Sequence, residues 1–125
     1  MKMKIMYEIL ETVQARYDAL GTSNLSVSPV REKANTPFIV YEEGYDNLFN
    51  TIECDVSLTK SSFTVNLWSH NLNDIEAIRG MIIEEVGLYP REKASCIVTN
   101  IQHMTENVTP DSHLYRAIFY INISN

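Results

Sequence analysis

The chain has 125 residues, of which 45% are apolar, and its formal net charge is −6. This length is typical of a single domain over residues 1–125, and the apolar fraction is sufficient for a packed core, which argues against global disorder. The acidic balance argues against a general nucleic-acid binder, because affinity for phosphate comes from clustered lysine and arginine. It does not exclude a protein that DNA merely passes, since a negative wall would repel DNA and prevent sticking.

The first predicted element is a helix over residues 3–20. Its apolar residues recur at steps of three and four, with charged residues between them, as in an amphipathic helix that packs on a core. Gly21 is a typical end for such a helix. A polar segment follows, in which Leu25 and Val27 predict a short strand that Pro29 keeps at an edge. The apolar stripe of the helix comprises Ile5, Ile9, Leu10, Val13, Tyr17 and Leu20.

A break in the strand pattern is predicted at residues 42–50. It follows a first full strand, and it contains Gly44 and the pair Asp46–Asn47, which are turn formers. Residues 51–59 then resume the alternation of a strand, and residues 60–62 (Lys-Ser-Ser) turn the chain into the next one. We therefore expect two antiparallel strands on either side of that turn.

The predicted break carries three large apolar side chains, Tyr45, Leu48 and Phe49. This is unusual, because loops normally run over the surface in contact with water. Two interpretations stay open: the loop folds back on the core, or it forms a surface that another subunit covers. With the neighbouring Asp46, these three residues are the candidate contact residues of the chain.

One strand running straight into one helix is predicted next. Residues 63–68 alternate as a strand does, and at Leu72 the apolar period changes to steps of three and four. Asn71 or Asn73 can cap the start of the helix, and Gly87 can end it. A strand and a helix so close in sequence are expected to pack on each other. The helical stripe comprises Leu72, Ile75, Ile78, Met81 or Ile82, and Val86.

Two more strands complete the predicted sheet. Residues 94–108 do not keep a single phase, and a bulge near Asn100 accounts for the slip. A turn is predicted at residues 109–112. Residues 115–123 alternate strongly and are apolar on both faces for much of their length, which favours a strand that is central or covered on both sides. The predicted fold is therefore an α+β domain, with an antiparallel or mixed β-sheet and two α-helices packed on one face.

No catalytic, cofactor-binding or metal site is predicted, and we expect that the protein is not an enzyme. The four glycines are scattered and form no phosphate loop. His70, His103 and His113 have no spacing typical of metal ligands. The pairs Glu42–Glu43 and Glu84–Glu85 are adjacent in sequence, so their carboxylates do not face one another as an acid/base couple requires.

The two cysteines predict a reducing compartment. Cys54 and Cys96 lie far apart, in no metal or redox spacing, and we expect both to be reduced in an intracellular protein. The basic start of the chain, residues 1–4, is followed by a segment that acidic residues and Arg16 interrupt, so no signal peptide is predicted. No apolar run approaches the ~20 residues of a membrane span.

The order of these elements resembles the small tail-terminator (tail-completion) proteins of long-tailed phages and prophages. The likeness lies in the chain length, in the order of the elements and in the general pattern of apolar and polar residues. It is most specific in residues 37–41 (Pro-Phe-Ile-Val-Tyr) and residues 65–69 (Val-Asn-Leu-Trp-Ser), and the chain departs from the family pattern after Tyr89.

This resemblance implies a structural virion protein at the head–tail junction, made in the host cytoplasm. Such proteins form a hexameric ring on the last ring of tail tube protein. The ring stops polymerisation of the tube and offers a face to the head connector or adaptor, while DNA passes through the lumen without specific binding. Tyr45, Asp46, Leu48 and Phe49 are then expected in a subunit or tube contact.

Two alternatives stay open at this point. The chain can be another head–tail joining protein, such as a stopper or a head-completion protein, which differs in its binding partner. It can also be a small-ligand-binding or enzymatic α+β domain, which a buried polar pocket with perturbed titrating groups would favour.

Overall fold

The computed structural model describes residues 2–21, 25–28, 37–50, 56–109 and 112–124, and within these ranges residues 2, 45–50, 56–60, 106–109 and 112 are described by their backbone alone. The elements are α1 (Lys2–Asp18), β1 (Ser26–Ser28), β2 (Phe38–Asn50), β3 (Val56–Ser69), α2 (Leu72–Leu88), β4 (Ser95–Thr109) and β5 (Ser112–Ser124).

The five strands form one sheet in the order β1-β2-β3-β5-β4. β1 runs parallel to β2, and every other neighbouring pair is antiparallel. A mixed sheet with two helices confirms the predicted α+β class. It also confirms the interior position predicted for β5, which lies between β3 and β4.

The core lies between the helices and one side of the sheet, which we call the helix face. α2 packs against β3, β4 and β5, while α1 packs on α2 and beside β1. Alternate residues of β3 and β5 enter this core, and full burial of a ring such as that of Phe63 or Phe119 contributes on the order of 2 kcal/mol. The core residues of the sheet are Ile39, Tyr41, Phe63, Val65, Leu67, Ala117, Phe119, Ile121 and Ile123.

The opposite side of the sheet, the second face, carries the residues in between. Neither of the two described helices packs on it. The strand registers place these described side chains on the second face: Phe38, Val40, Glu42, Ser62, Thr64, Asn66, Trp68, Ile97, Asn100, Gln102, Met104, Arg116, Ile118, Tyr120 and Asn122.

The first helix is shorter than predicted. It ends at Asp18, and Leu20 is exposed rather than part of the stripe. Gly21 adopts a left-handed conformation with φ of 75°, which glycine tolerates and other residues rarely do, so the chain leaves the helix there as predicted. Met6, which the predicted stripe omitted, is fully buried.

The second helix begins where the sequence predicts and ends one residue later. The Asn71 side chain accepts a hydrogen bond from the backbone N–H of Asn73, so Asn71 is the cap. The prediction that Gly87 ends the helix was wrong, because the helix runs to Leu88 and the N–H of Tyr89 still bonds to a helical carbonyl. Leu72 is exposed at the first turn, while Ile75, Ile78, Ile82 and Val86 are buried as predicted.

The break predicted at residues 42–50 is wrong. β2 continues through it to Asn50, and a register shift between Glu43 and Asp46 gives β2 one extra residue there, a β-bulge. Gly44 permits this bulge, because a Cβ at that position would lie 3.1 Å from the carbonyl oxygen of Ser62. The glycine that predicted a turn therefore bends a strand instead.

The turn predicted at residues 60–62 is also wrong. β3 is one continuous strand, and Ser61 is buried between Asp46 of β2 and Ile123 of β5. The Ser62 hydroxyl donates to the side-chain oxygen of Asn122 at 3.1 Å. Pairing on both sides thus satisfies the polar groups that predicted a turn. A strand was predicted over residues 51–59, before this turn. Residues 51–55 of it lie outside the described residues.

The bulge predicted in β4 is confirmed. The register shifts between Val98 and Asn100, so Thr99 is the extra residue. Its hydroxyl donates to the backbone oxygen of Tyr120 at 3.1 Å, which keeps the strand attached to β5 across the irregularity.

Gly80 of α2 provides a test of whether the exposed side of this helix is free of contacts. A Cβ at Gly80 would meet no atom within 4 Å, and the residue has an ordinary helical conformation. Gly80→Ala should therefore raise the free energy of unfolding by about 1 kcal/mol in urea denaturation followed by circular dichroism. Gly21→Ala is the control and should lower it, because alanine is strained at the positive φ. Destabilisation by Gly80→Ala would show that another surface approaches α2 at this point.

Candidate functional site

A two-stranded ribbon extends beyond the sheet at one end. The pairing of β3 with β5 ends at Lys60 and Ser124. Beyond that level, residues 48–50 of β2 pair with residues 56–59 of β3, and no third described strand accompanies them. We call this ribbon the β2–β3 arm. Four residues of strand span about 13 Å, which is roughly how far the arm extends past the last pair of β3 with β5.

The structure places all four candidate contact residues on or beside this arm. Leu48 and Phe49 lie within it, Asp46 pairs with Ser61 at its base, and Tyr45 lies in the bulge. The interpretation that this segment is a loop folded back on the core is wrong as far as its backbone goes, since it is a strand. The side chains of these four residues lie outside the described part of the chain. A two-stranded ribbon is marginally stable by itself, so a covering partner would stabilise the arm.

A groove of about 550 Å³ lies on the second face, at a bend in the sheet. One row of paired residues crosses the sheet through Phe63 and Ile121, with the β2 bulge at Gly44 on one side of that row and the β4 bulge at Thr99 on the other. Bulges increase local twist and bend, which explains a hollow at this level. The described lining residues are Gly44, Ser62, Phe63, Thr64, Thr99, Asn100, Gln102, Tyr120, Ile121 and Asn122.

The groove is uncharged, and its described lining is partly polar and partly apolar, with Phe63 and Ile121 among the lining residues. Its described lining contains hydroxyl and amide groups and no charged side chain. Two of these groups already bond to each other, because the Tyr120 hydroxyl donates to Gln102 Oε1 at 3.2 Å. Such a surface can hydrogen-bond a neutral polar ligand or an extended peptide, and it provides no acid/base pair for catalysis. The sequence pattern does not predict the groove, although the bulge predicted near Asn100 is one signal for it.

An aromatic and cationic cluster lies next to the groove on the second face. Phe38 and Trp68 stack with ring centroids 4.9 Å apart, and the Arg116 guanidinium lies 4.9 Å from the Trp68 ring. Arg116 Nε and Nη2 both donate to Asn66 Oδ1, at 3.2 and 2.7 Å. The cation–π contact and the paired hydrogen bonds hold this charge close to the sheet, where it stabilises the packing of the second face.

A polar junction connects both helices with the end of β3. Asp74 Oδ1 accepts from the Tyr17 hydroxyl at 2.6 Å, and Asp74 Oδ2 accepts from the Ser69 hydroxyl at 3.1 Å. Ser69 Oγ in turn accepts from the backbone N–H of Asn71 at 3.1 Å. Ser69 is only 1% exposed, so a substrate cannot reach it, and the carboxylate is already occupied by Tyr17. The arrangement joins α1, β3 and α2 and is not a nucleophilic site.

The described histidines and cysteine do not form a group of side chains arranged for catalysis either. His70 Nδ1 lies 2.9 Å from the backbone oxygen of His113, and the exposed His103 lies on β4. Burial raises the pKa of the Cys96 thiol to about 11, so it is protonated at neutral pH and a poor nucleophile. In the described part of the chain, no three side chains of metal-binding type come together. Cys54 lies outside the described residues.

No protein-family model and no curated protein matches this chain in sequence. Neither described helix combines the length and the apolar character that a membrane crossing requires.

The polar junction can be tested with two matched substitutions. Tyr17→Phe removes a 2.6 Å hydrogen bond to a carboxylate at a buried tyrosine, and we expect it to lower the free energy of unfolding by about 2 kcal/mol. Tyr89→Phe is the control, because its hydroxyl donates to Glu8 at 3.3 Å in an exposed site, and it should change stability by less than about 0.5 kcal/mol. Equal effects in urea denaturation would contradict the role given to Asp74.

Proposed function

We propose that the protein is a structural virion protein of a long-tailed phage that caps the tail tube. It forms a ring, hexameric in this proposal, on the last ring of tube protein and thereby stops polymerisation. Its other side meets the head connector or adaptor, and DNA passes through the lumen without specific binding. It is made in the host cytoplasm and becomes part of the head–tail junction.

The observation that carries this proposal is the β2–β3 arm. Residues 48–50 and 56–59 extend past the last pair of β3 with β5, and they include Leu48 and Phe49. Apolar residues on a marginally stable ribbon gain most when a neighbour covers them. An arm that reaches outward from one end of the sheet provides a contact that is directional, as capping a tube requires.

The asymmetry of the sheet also supports a ring. Its two edges differ, since β1 has three residues and β4 has fifteen. A ring is built from heterologous contacts, in which two different surfaces of the same chain meet head to tail and the rotation closes. The net charge of −6 is compatible with a lumen that repels DNA rather than binding it.

One other function has an observation in its favour. The neutral groove of about 550 Å³ falls in the size range of small-molecule sites, which favours a ligand-binding α+β domain. A stopper or another head–tail joining protein is separated from a tail terminator by its partner, which is the portal or adaptor rather than the tube.

Substitutions in the arm test the proposed function. Leu48→Ser with Phe49→Ser should abolish assembly and co-sedimentation with tail tubes while leaving a folded monomer, because the contact loses its apolar surface. Ile83→Ser with Leu88→Ser is the control: both residues are exposed on α2, so tube binding should persist. Circular dichroism monitors folding, and size-exclusion chromatography with light scattering gives the mass.

Two results of that experiment contradict the proposal. An unfolded arm variant would mean that Leu48 and Phe49 belong to the core. A folded arm variant that still binds tubes would mean that the arm is not the contact.

A further inference from the structure

The outer edge of the sheet at β4 is long and has few features that prevent pairing with another strand. In the order of the described strands β4 lies at the edge, so one side of its backbone faces no described strand. Residues 95–105 contain no aspartate, glutamate, lysine, arginine or proline. On the second face, Ile97 is 57% exposed and Met104 is 45% exposed. Sheet proteins normally guard such an edge with charge or proline. Here the described guarding features of this stretch are the bulge at Thr99 and the Asn100 side chain, whose Oδ1 accepts from the N–H of Ile101 at 2.9 Å.

A backbone edge of this kind is recognised by another extended strand. The outward N–H and C=O groups of one edge match those of a second edge, and side chains on either face set the preference. The chain itself carries such a second edge. β1 pairs with β2 only over Phe38–Val40, so from Tyr41 to Asn50 no described strand covers the outer side of β2.

The two edges differ in charge. The outer part of β2 carries Glu42, Glu43 and Asp46, whereas β4 is neutral through residue 105. Pairing of β2 with β2 would bring carboxylates together across the contact, which is unfavourable. Pairing of β4 with β4 would close a two-fold dimer and leave both β2 edges uncovered. Pairing of β4 with β2 uses both edges of every copy and runs head to tail.

We infer that β4 of one copy pairs edge to edge with the outer side of β2 of a second copy, so that the sheets of neighbouring subunits are continuous around the assembly. This inference rests on the proposed function, because a repeated heterologous contact is what a ring requires. It assigns the subunit contact to the backbone edges, including the outer side of the β2 strand within the arm, and leaves the rest of the β2–β3 arm for the tube.

The test uses the sign of charge on β4. Asn100 and Gln102 are exposed on the second face, and their partners on β5 are the uncharged Tyr120 and Ile118. The pair Asn100→Glu and Gln102→Glu places negative charge against the acidic edge of β2. It should raise the concentration for half-assembly about tenfold. The matched pair Asn100→Lys and Gln102→Lys should assemble as the wild type does, because its charge is opposite to that of Glu42.

A rescue identifies the partner strand. Adding Glu42→Lys to the glutamate pair should restore assembly, measured as mass by light scattering with circular dichroism as the folding control. Equal loss from glutamate and lysine would indicate pairing of β4 with β4 and overturn the inference, and so would assembly that neither pair changes. A wild-type chain that assembles neither alone nor on tail tubes would overturn the proposed function itself, which is a different result.

Discussion

The pairing of β3 with β5 is the interaction on which the rest of the structure depends. These antiparallel strands form the middle of the sheet, from Lys60 and Ser124 at one end to Ser69 and Tyr115 at the other. Their alternate residues supply most of the sheet's share of the core under both helices. Where the pairing stops, β2 and β3 continue as an arm, and β4 and β5 continue at the opposite end with pairs such as Asn107 and His113. The extent of the β3–β5 pairing thus determines where the two-stranded ends of the sheet begin, which are the parts of the chain most accessible to a partner.

Sequence patterns predicted those features of the fold that depend on residues close together in the chain. The cap at Asn71, the stop at Gly21 and the stripe of α2 from Ile75 to Val86 depend on residues within one turn of each other, and the structure confirms them, although Leu72 of the predicted stripe is exposed. The bulge in β4 was visible because an extra residue changes the phase of a strand, whatever the strand pairs with. The interior position of β5 followed from its apolar residues on both faces.

Strand continuity was mispredicted because it depends on distant partners. Residues 60–62 have the composition of a turn, but β2 on one side and Asn122 of β5 on the other provide the hydrogen bonds that a turn would otherwise have provided. Gly44 likewise has the propensity of a turn and serves in a bulge against Ser62. Three of the four candidate contact residues, Tyr45, Leu48 and Phe49, stand out in the sequence because apolar side chains are costly in a wet loop. The structure places them on a strand and not in a loop. What covers them on the arm is the question that the proposed function addresses.

The proposed function requires that copies of this chain assemble, and the mass of the wild-type protein tests that claim most directly. Light scattering of the purified chain, alone and after mixing with tail tube protein, should give an assembly of six times the 14.3 kDa chain in at least one condition, and negative-stain images of the same peak should show a ring. A monomer under both conditions, with tubes of unlimited length, would contradict the account.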